Sequence, residues 1–313
     1  MLAILSITFP LYAAIALGYV MVRWGPFQPQ NMPVFGGYVL NVALPALLFN
    51  AVATRDVSDL FNLTYMAVFL AGSLATIAVA FTTLGALGIS PTRRAVAVMG
   101  SCCANTGFIG YPLLLLALPA VAGQVLALNM LVENFVVIPV CLAIMEASKA
   151  EDAHILAKLR NILLGVLRRP MVLALTAGLL FSLSGLALPA PATRFLDMLA
   201  ASSAALALFV IGGALVGVPF RGNRGIALLI VAGKLALHPA MIALALLAVP
   251  MVGLAAMPAD LAMAAIITAA VPMFTIYALF AQELGHEGMA SIAQVLATTL
   301  AFFTLSAVLF VLL

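Results

Sequence analysis

Residues 95–118 read AVAVMGSCCANTGFIGYPLLLLAL, an apolar stretch with a polar, glycine-containing interruption and a proline near its middle. The stretch is long enough to cross a bilayer, because a membrane-spanning helix needs about 20 mostly apolar residues. Nine similar stretches fill almost all of the remaining chain. The sequence therefore predicts an all-α membrane protein with ten transmembrane helices, at residues 2–22, 34–53, 63–88, 95–118, 123–146, 171–188, 195–217, 225–250, 259–282 and 288–313.

The composition excludes a soluble domain, since 66% of the residues are hydrophobic and only 7% are charged. The connections are too short for a separate catalytic domain, and signatures such as H-E-x-x-H, G-x-S-x-G and G-x-x-x-x-G-K-[ST] are absent. We therefore expect no enzyme activity and no cofactor. Cys102, Cys103 and Cys141 lie inside spans without C-x-x-C spacing, which favours packing over a metal or disulfide role.

The basic residues indicate the orientation, because positively charged loops stay in the cytoplasm. Two residues, Arg55 and Arg194, fall in one set of alternate connections, and Lys234 lies inside the eighth span. The other set holds ten: Arg23, Arg93, Arg94, Lys149, Lys158, Arg160, Arg168, Arg169, Arg221 and Arg224. Both termini are therefore expected on the non-cytoplasmic side. The net charge of +3 follows from this bias, so we expect no nucleic-acid partner.

The longest connection, 147–169, divides the chain into 1–146 and 170–313, with five predicted spans in each half. An odd number of spans per half places the halves in opposite orientations, as in the inverted repeats of secondary transporters. We therefore predict two inverted five-helix repeats joined by a cytoplasmic linker.

Prolines and polar residues interrupt three spans near mid-depth: the second at Pro45, the fourth at 105–112 and the ninth at 269–277. Backbone groups freed by such breaks need protein or water partners. A rise of about 1.5 Å per residue puts Asn105 roughly 15 Å and Pro272 about 20 Å into their spans. Paired interruptions in the two halves indicate a transport site, although proline kinks are also ordinary in membrane helices. The predicted substrate-binding residues are Asn41, Pro45, Asn105, Thr106, Gly107, Gly110, Pro112, Pro272, Thr275 and Tyr277.

Polar residues deep in other spans are candidates for ion coupling or support, because ionisable groups in a membrane are costly. Glu133, beside Asn134, fits either a proton or cation site or a buried structural carboxyl. Lys234 fits either snorkelling to the interface or neutralising a helix C-terminus at the crossing, where a cation would otherwise bind. His238 fits a proton site or a packing role, and Gln294 fits interhelical hydrogen bonding. No metal site is expected.

The chain resembles the auxin efflux carrier family, which includes plant PIN proteins and bacterial carriers of malonate and similar acids. The resemblance rests on LNVALPALLF (40–49), NTGFIGYP (105–112), ENFVVIP (133–139) and the segment around Pro272. It implies a bile-acid-symporter-like or sodium–proton-antiporter-like fold, with a scaffold domain and a transport domain of crossed, broken helices. Plant carriers have Asn-Pro-Asn where this chain has Ala104-Asn105-Thr106-Gly107, which argues against auxin itself as substrate.

The leading hypothesis is a secondary transporter of a small organic anion, with elevator-type or rocking alternating access. The candidate substrate is a carboxylate such as malonate or an auxin-like acid. The alternatives are a membrane sensor or assembly component without turnover, or an anion channel. The expected location is the bacterial inner membrane. Expected partners are the anion and membrane lipid, and the sequence leaves a homodimer open.

Overall fold

A computed structural model describes residues 2–54, 61–149, 164–165, 167–217 and 223–312. The regular structure in these ranges is helical, and β pairing there is confined to a bridge between Ala104 and Met273. The helices discussed below are α1 Leu2–Arg23, α2 Pro29–Ala53, α3 Leu63–Ala86, α4 Pro91–Cys102, α5 Thr106–Ala117, α6 Pro119–Ala147, α7 Pro170–Leu183, α8 Ala190–Ala214, α9 Arg224–Met251, α10 Ala259–Ala269, α11 Tyr277–Gln282 and α12 Glu287–Leu312.

Seven helices in the described ranges are long and apolar enough to cross a membrane, namely α1, α2, α3, α6, α8, α9 and α12. Of the three shorter apolar helices, α5 and α10 lie within the predicted spans 95–118 and 259–282, and α7 begins one residue before the predicted span 171–188. The described part of the chain is thus an all-helical membrane protein. The count of ten spans and the inverted repeat stay predictions.

Four wide π turns occur in the described helices, and each ends two positions before a proline. Proline has no N–H to donate, and its ring crowds the carbonyl four residues earlier. A π turn, with its i→i+5 hydrogen bond, is a common adjustment of a helix and is frequent at functional sites. The turns and their prolines are Val39–Ala43 with Pro45, Thr106–Gly110 with Pro112, Glu133–Val137 with Pro139, and Gly233–Leu237 with Pro239.

The sequence predicts a break at Pro45 in the second span, whereas the structure shows a continuous helix there. Helix α2 continues through this proline, because the turn Val39–Ala43 absorbs the lost hydrogen bond. The N–H of Leu44 donates to the carbonyl of Val39, five residues back. The fourth and ninth predicted spans, in contrast, are broken as expected, between α4 and α5 and between α10 and α11.

The chain forms two compact units, and each draws segments from both predicted halves. Unit 1 comprises Met1–Leu63, Thr106–Met130 and Leu167–Gly217. Unit 2 comprises Thr64–Asn105, Leu131–Val166 and Val218–Leu313. Most of the predicted linker, residues 150–163 and 166, lies outside the described residues, together with four of the basic residues used for orientation: Arg55, Lys158, Arg160 and Arg221.

Within unit 1, helices α1 and α8 approach each other so closely that side chains are excluded from the contact. A Cβ on Gly212 would lie 1.8 Å from the carbonyl oxygen of Ile15, and one on Gly18 would lie 2.0 Å from that of Phe209. Small residues allow such backbone approach in membranes, where helix association depends on close packing rather than on expelling water. These glycines therefore fix the α1–α8 pair.

Candidate transport site

The centre of unit 2 is a crossing of two extended segments, each lying in the gap of a broken helix. The bridge between Ala104 and Met273 pairs the segments antiparallel. The N–H of Asn105 donates to the carbonyl of Pro272 at 2.9 Å, and the N–H of Phe274 donates to the carbonyl of Cys103 at 3.3 Å. Backbone groups released by the breaks thus satisfy one another, as the lipid environment requires.

A chain of polar side chains follows the crossing. The side-chain amide of Asn105 donates to the hydroxyl of Thr275 at 3.1 Å. The amide of Gln294, on α12, donates to the backbone carbonyl of Thr275 at 3.2 Å. The predicted residues Asn105, Pro272, Thr275 and Gln294 therefore come together within unit 2, and α12 fixes the segment after Pro272.

Tyr277, the first residue of α11 after the crossing, bonds this helix to α4. Its side chain is fully buried, and its hydroxyl donates to the carbonyl of Val96 on α4 at 3.0 Å. A Cβ on Gly100 would lie 2.6 Å from the Tyr277 ring, so the glycine provides the space that the ring fills. In the structure its hydroxyl bonds α11 to α4, and the substrate contact predicted for Tyr277 stays a prediction.

Lys234 is fully buried and reaches the end of broken helix α10. Its ammonium nitrogen lies 2.5 Å from the carbonyl oxygen of Ala269, the last residue of α10. The last carbonyls of a helix carry a partial negative charge and lack partners within the helix. Of the two roles that the sequence left open for Lys234, the structure places it against the helix end and not at the interface.

His238 contacts Lys234 and in turn contacts Ser73, so that the three side chains are linked by hydrogen bonds. The ammonium nitrogen of Lys234 lies 2.9 Å from Nδ1 of His238, and Nε2 of His238 lies 3.2 Å from the hydroxyl of Ser73 on α3. All three side chains are buried. Sequence analysis did not single out Ser73, because a lone serine in an apolar span carries no signal of its partner.

Glu133 and Asn134 lie in the π turn of α6, and both are buried. The carboxyl of Glu133 is close enough to Lys234 for their charges to interact. Unit 2 therefore holds an acid and a base within electrostatic range of each other. Each is held on a π turn, since Lys234 lies in Gly233–Leu237 of α9.

The remaining predicted residues belong to unit 1. Asn41 donates to the carbonyl of Gly37 in its own helix at 2.7 Å, and Pro45 is partly buried. A Cβ on Gly107 would lie 3.0 Å from a methyl carbon of Leu44, so α2 and the first turn of α5 pack closely. Thr106, Gly110 and Pro112 are buried in the same unit.

Paired broken helices that cross in an all-helical membrane protein are typical of secondary transporters. The comparisons with known proteins agree with this class. The chain belongs to the family whose model is described as "Membrane transport protein", which matches residues 3–311. The resemblance to the auxin efflux carrier family is thereby confirmed.

A relative from Rhizobium meliloti (strain 1021) carries the name "Putative malonate transporter". It is 31% identical over 258 residues, which cover 79% of this chain and 77% of the relative. Both the family and this relative are described as transporters, which supports the expectation that the chain is not an enzyme.

Proposed function

We propose that the chain is a secondary transporter of a small organic anion, of the class that includes malonate and auxin-like carboxylates. It works by alternating access, through elevator-type or rocking motion, in the bacterial inner membrane with both termini non-cytoplasmic. The observation that carries the proposal is the crossing at Asn105 and Pro272, supported by the family membership. The name of the relative supports a dicarboxylate as the first candidate substrate.

The crossing supplies groups that suit a carboxylate. Asn105 and Thr275 bring an amide and a hydroxyl to the point where both helices are broken. Such groups donate hydrogen bonds to carboxylate oxygens without bringing a second negative charge. The proposed substrate site is centred on these two residues, with Gln294 holding the segment that bears Thr275.

The driving force is a gradient or the membrane potential, because the sequence has no nucleotide-binding motif. The potential contributes about 2.3 kcal/mol per charge per 100 mV and by itself favours the exit of an anion. Coupling to a proton is assigned to Glu133, and Lys234 stands where a coupling cation would meet the end of α10. Transport is therefore proposed to be independent of sodium.

A thermal-shift screen of purified protein tests the proposal, since a ligand that binds the folded state raises the melting temperature by mass action. The panel comprises malonate, other mono- and dicarboxylates, and neutral analogues, each with sodium or choline. We expect a saturable shift with one group of carboxylates, unchanged when choline replaces sodium. A shift that requires sodium contradicts the role of Lys234, and no shift with any carboxylate contradicts the substrate class.

Transport experiments separate the carrier from the alternatives. A carrier shows saturable exchange across proteoliposome membranes, whereas a channel shows flux that rises linearly with concentration. A sensor binds the acid without moving it. Lys234→Gln removes the positive charge while keeping hydrogen-bond capacity, and we expect this variant to bind and exchange malonate weakly.

A further inference from the structure

The contacts around Lys234 form one continuous chain of hydrogen bonds, running from Ser73 through His238 to Lys234 and on to Ala269. This hydrogen-bond chain joins α3 to α9, and α9 to the end of α10. All of its members lie within unit 2, and its three side chains are at most 1% exposed. Buried polar chains of this kind are stable only when each donor meets an acceptor.

The positions of the protons in this hydrogen-bond chain follow from the chemistry of lysine. An ammonium group has donors and no acceptor, so Nδ1 of His238 must accept from Lys234. The proton of the neutral imidazole is then on Nε2, which donates to the hydroxyl of Ser73. An imidazolium has donors on both nitrogens and cannot accept from the ammonium. With Lys234 charged, the geometry therefore requires a neutral histidine.

We propose that Ser73 and His238 are positioning residues that hold the ammonium of Lys234 against the carbonyl of Ala269. The hydroxyl of Ser73 accepts from Nε2–H of His238 and holds the imidazole ring in place, and Nδ1 of His238 offers its lone pair to Lys234. The inference rests on the proposed function, because it explains how a fixed lysine keeps the end of α10 satisfied without a bound sodium ion. It adds a second consequence, that protonation of His238 releases Lys234 and impairs transport at acidic pH.

Other charged and titratable groups face this hydrogen-bond chain and influence how it responds to pH. Glu133 on α6 and the thiols of Cys102 and Cys103, at the end of α4, lie within electrostatic range of Lys234. The ring of Phe69 on α3 lies 6.0 Å from the ring of His238. A test must therefore isolate His238 from Glu133, and comparison of variants at His238 does so.

Substitution by asparagine or glutamine separates the two bonds of His238. The amide of asparagine falls near the position of Nδ1, and that of glutamine falls near the position of Nε2. His238→Asn therefore keeps an acceptor for Lys234 and loses the bond to Ser73, whereas His238→Gln does the reverse. Asparagine also does not titrate, so Lys234 stays held at acidic pH.

The first test reads the tautomer directly and needs no substrate. The protein has three histidines, so ¹⁵N-histidine labelling gives a small set of imidazole signals, and His238→Asn identifies the one from His238. We expect the neutral Nε2–H tautomer in wild type near neutral pH, and the same tautomer in Ser73→Ala, because the ammonium of Lys234 still requires Nδ1 to accept. An Nδ1–H tautomer or an imidazolium in wild type overturns the proposal.

The second test is a double-mutant cycle on sodium-free malonate exchange. We expect His238→Gln to lose about tenfold or more, the factor that corresponds to a hydrogen bond to a charged group. His238→Asn should retain exchange and lack the acidic decline of wild type. Ser73→Ala should reduce exchange in wild type and have no further effect in the His238→Asn background, because asparagine makes no bond to Ser73 that the substitution could remove.

The outcomes distinguish the two proposals. If wild type shows the expected tautomer but exchanges no carboxylate, the proposed function fails and the hydrogen-bond chain stands as a structural feature only. If exchange is present but the effects of Ser73→Ala and His238→Asn are additive, Ser73 and His238 contribute only packing. A melting temperature for each variant, measured in parallel, shows that losses of exchange do not come from unfolding.

Discussion

Asn105 supplies both its backbone N–H and its side-chain amide to the crossing. Asn105→Ala keeps the backbone bond to Pro272 and removes the amide, so we expect normal folding with exchange reduced about tenfold or more. The measurement is exchange in proteoliposomes at equal protein density. Thr299→Ala is the matched control, since this exposed hydroxyl bonds only within its own helix, and it should have no effect. Wild-type kinetics in Asn105→Ala would remove the amide from the site.

Glu133 is the proposed proton carrier, because it is a buried carboxyl within electrostatic range of Lys234. Glu133→Gln keeps the shape and hydrogen-bonding capacity of the side chain but cannot exchange a proton. We expect this variant to lose the proton-coupled part of the pH dependence of net transport while still allowing exchange, and to keep the acidic decline assigned to His238. The measurement is the initial rate of uptake across a pH series. A variant with the wild-type pH profile and a lower melting temperature would show that Glu133 is structural.

Among the elements, the α1–α8 pair in unit 1 depends on a backbone approach that only glycine permits. Gly212→Ala places a methyl group against the carbonyl of Ile15, so the helices must separate. We expect a loss of about 1–3 kcal/mol in stability, typical of overpacking. Gly37→Ala is the control, because the nearest atom to its new methyl group would lie 4.0 Å away. Equal melting temperatures for the two variants would contradict the close approach.

The connection between α11 and α12 meets the start of α4 through His286, whose Nε2 lies 2.9 Å from the hydroxyl of Thr92. Partial burial, and then the charge of Arg93, lower the pKa of His286 below its ordinary value, while Glu287 acts in the opposite direction. Between the lowered and the ordinary pKa the unfolded chain binds more protons than the folded one. Stability from this residue is therefore complete at neutral pH and falls as the pH drops through about 6.5.

A pH series of melting temperatures for wild type and His286→Gln checks this prediction. Glutamine does not titrate, so the difference between the two curves isolates His286 from other groups. We expect the wild-type melting temperature to fall further than that of the variant between about pH 7.5 and about pH 5.5. Parallel curves would show that protonation of His286 has no effect on the fold. The effect should be small, because His286 is only partly buried.

The broken elements were predictable from sequence to different degrees, for physical reasons. In the fourth span, Asn105, Thr106 and Gly107 precede a proline, and this combination of weak helix formers predicts the break that is observed. Pro45 alone did not suffice to break α2, because a π turn absorbed its missing hydrogen bond. Local composition therefore indicates where a helix is weakened, and the surrounding packing decides whether it bends or breaks.

Contacts between elements that are far apart in the chain could not be predicted from the sequence. Ser73 and His238 are 165 residues apart, and the sequence around either residue does not indicate that the other is its partner. Lys234 was recognisable as unusual because a charge in a span is costly, and the sequence offered the end of a helix as one of two positions for it. Its contact with Ala269 in particular depends on how α9 packs beside α10, which only the tertiary structure shows.

For the whole molecule, the account depends on the crossing in unit 2 being the site where a small organic anion is carried. We propose that unit 2, which holds the crossing, carries the substrate during alternating access. This proposal requires that exchange of substrate be saturable and depend on residues of the crossing.

The most direct measurement is counterflow of labelled malonate into proteoliposomes loaded with unlabelled malonate, for wild type and Asn105→Ala. In counterflow the gradient of unlabelled substrate drives accumulation of the label, which a carrier produces and a channel does not. We predict transient accumulation by wild type, saturable with malonate or a related carboxylate and equal in sodium and choline, and its loss in well-folded Asn105→Ala. Absence of counterflow with every carboxylate tested, or full counterflow by Asn105→Ala, would contradict the account.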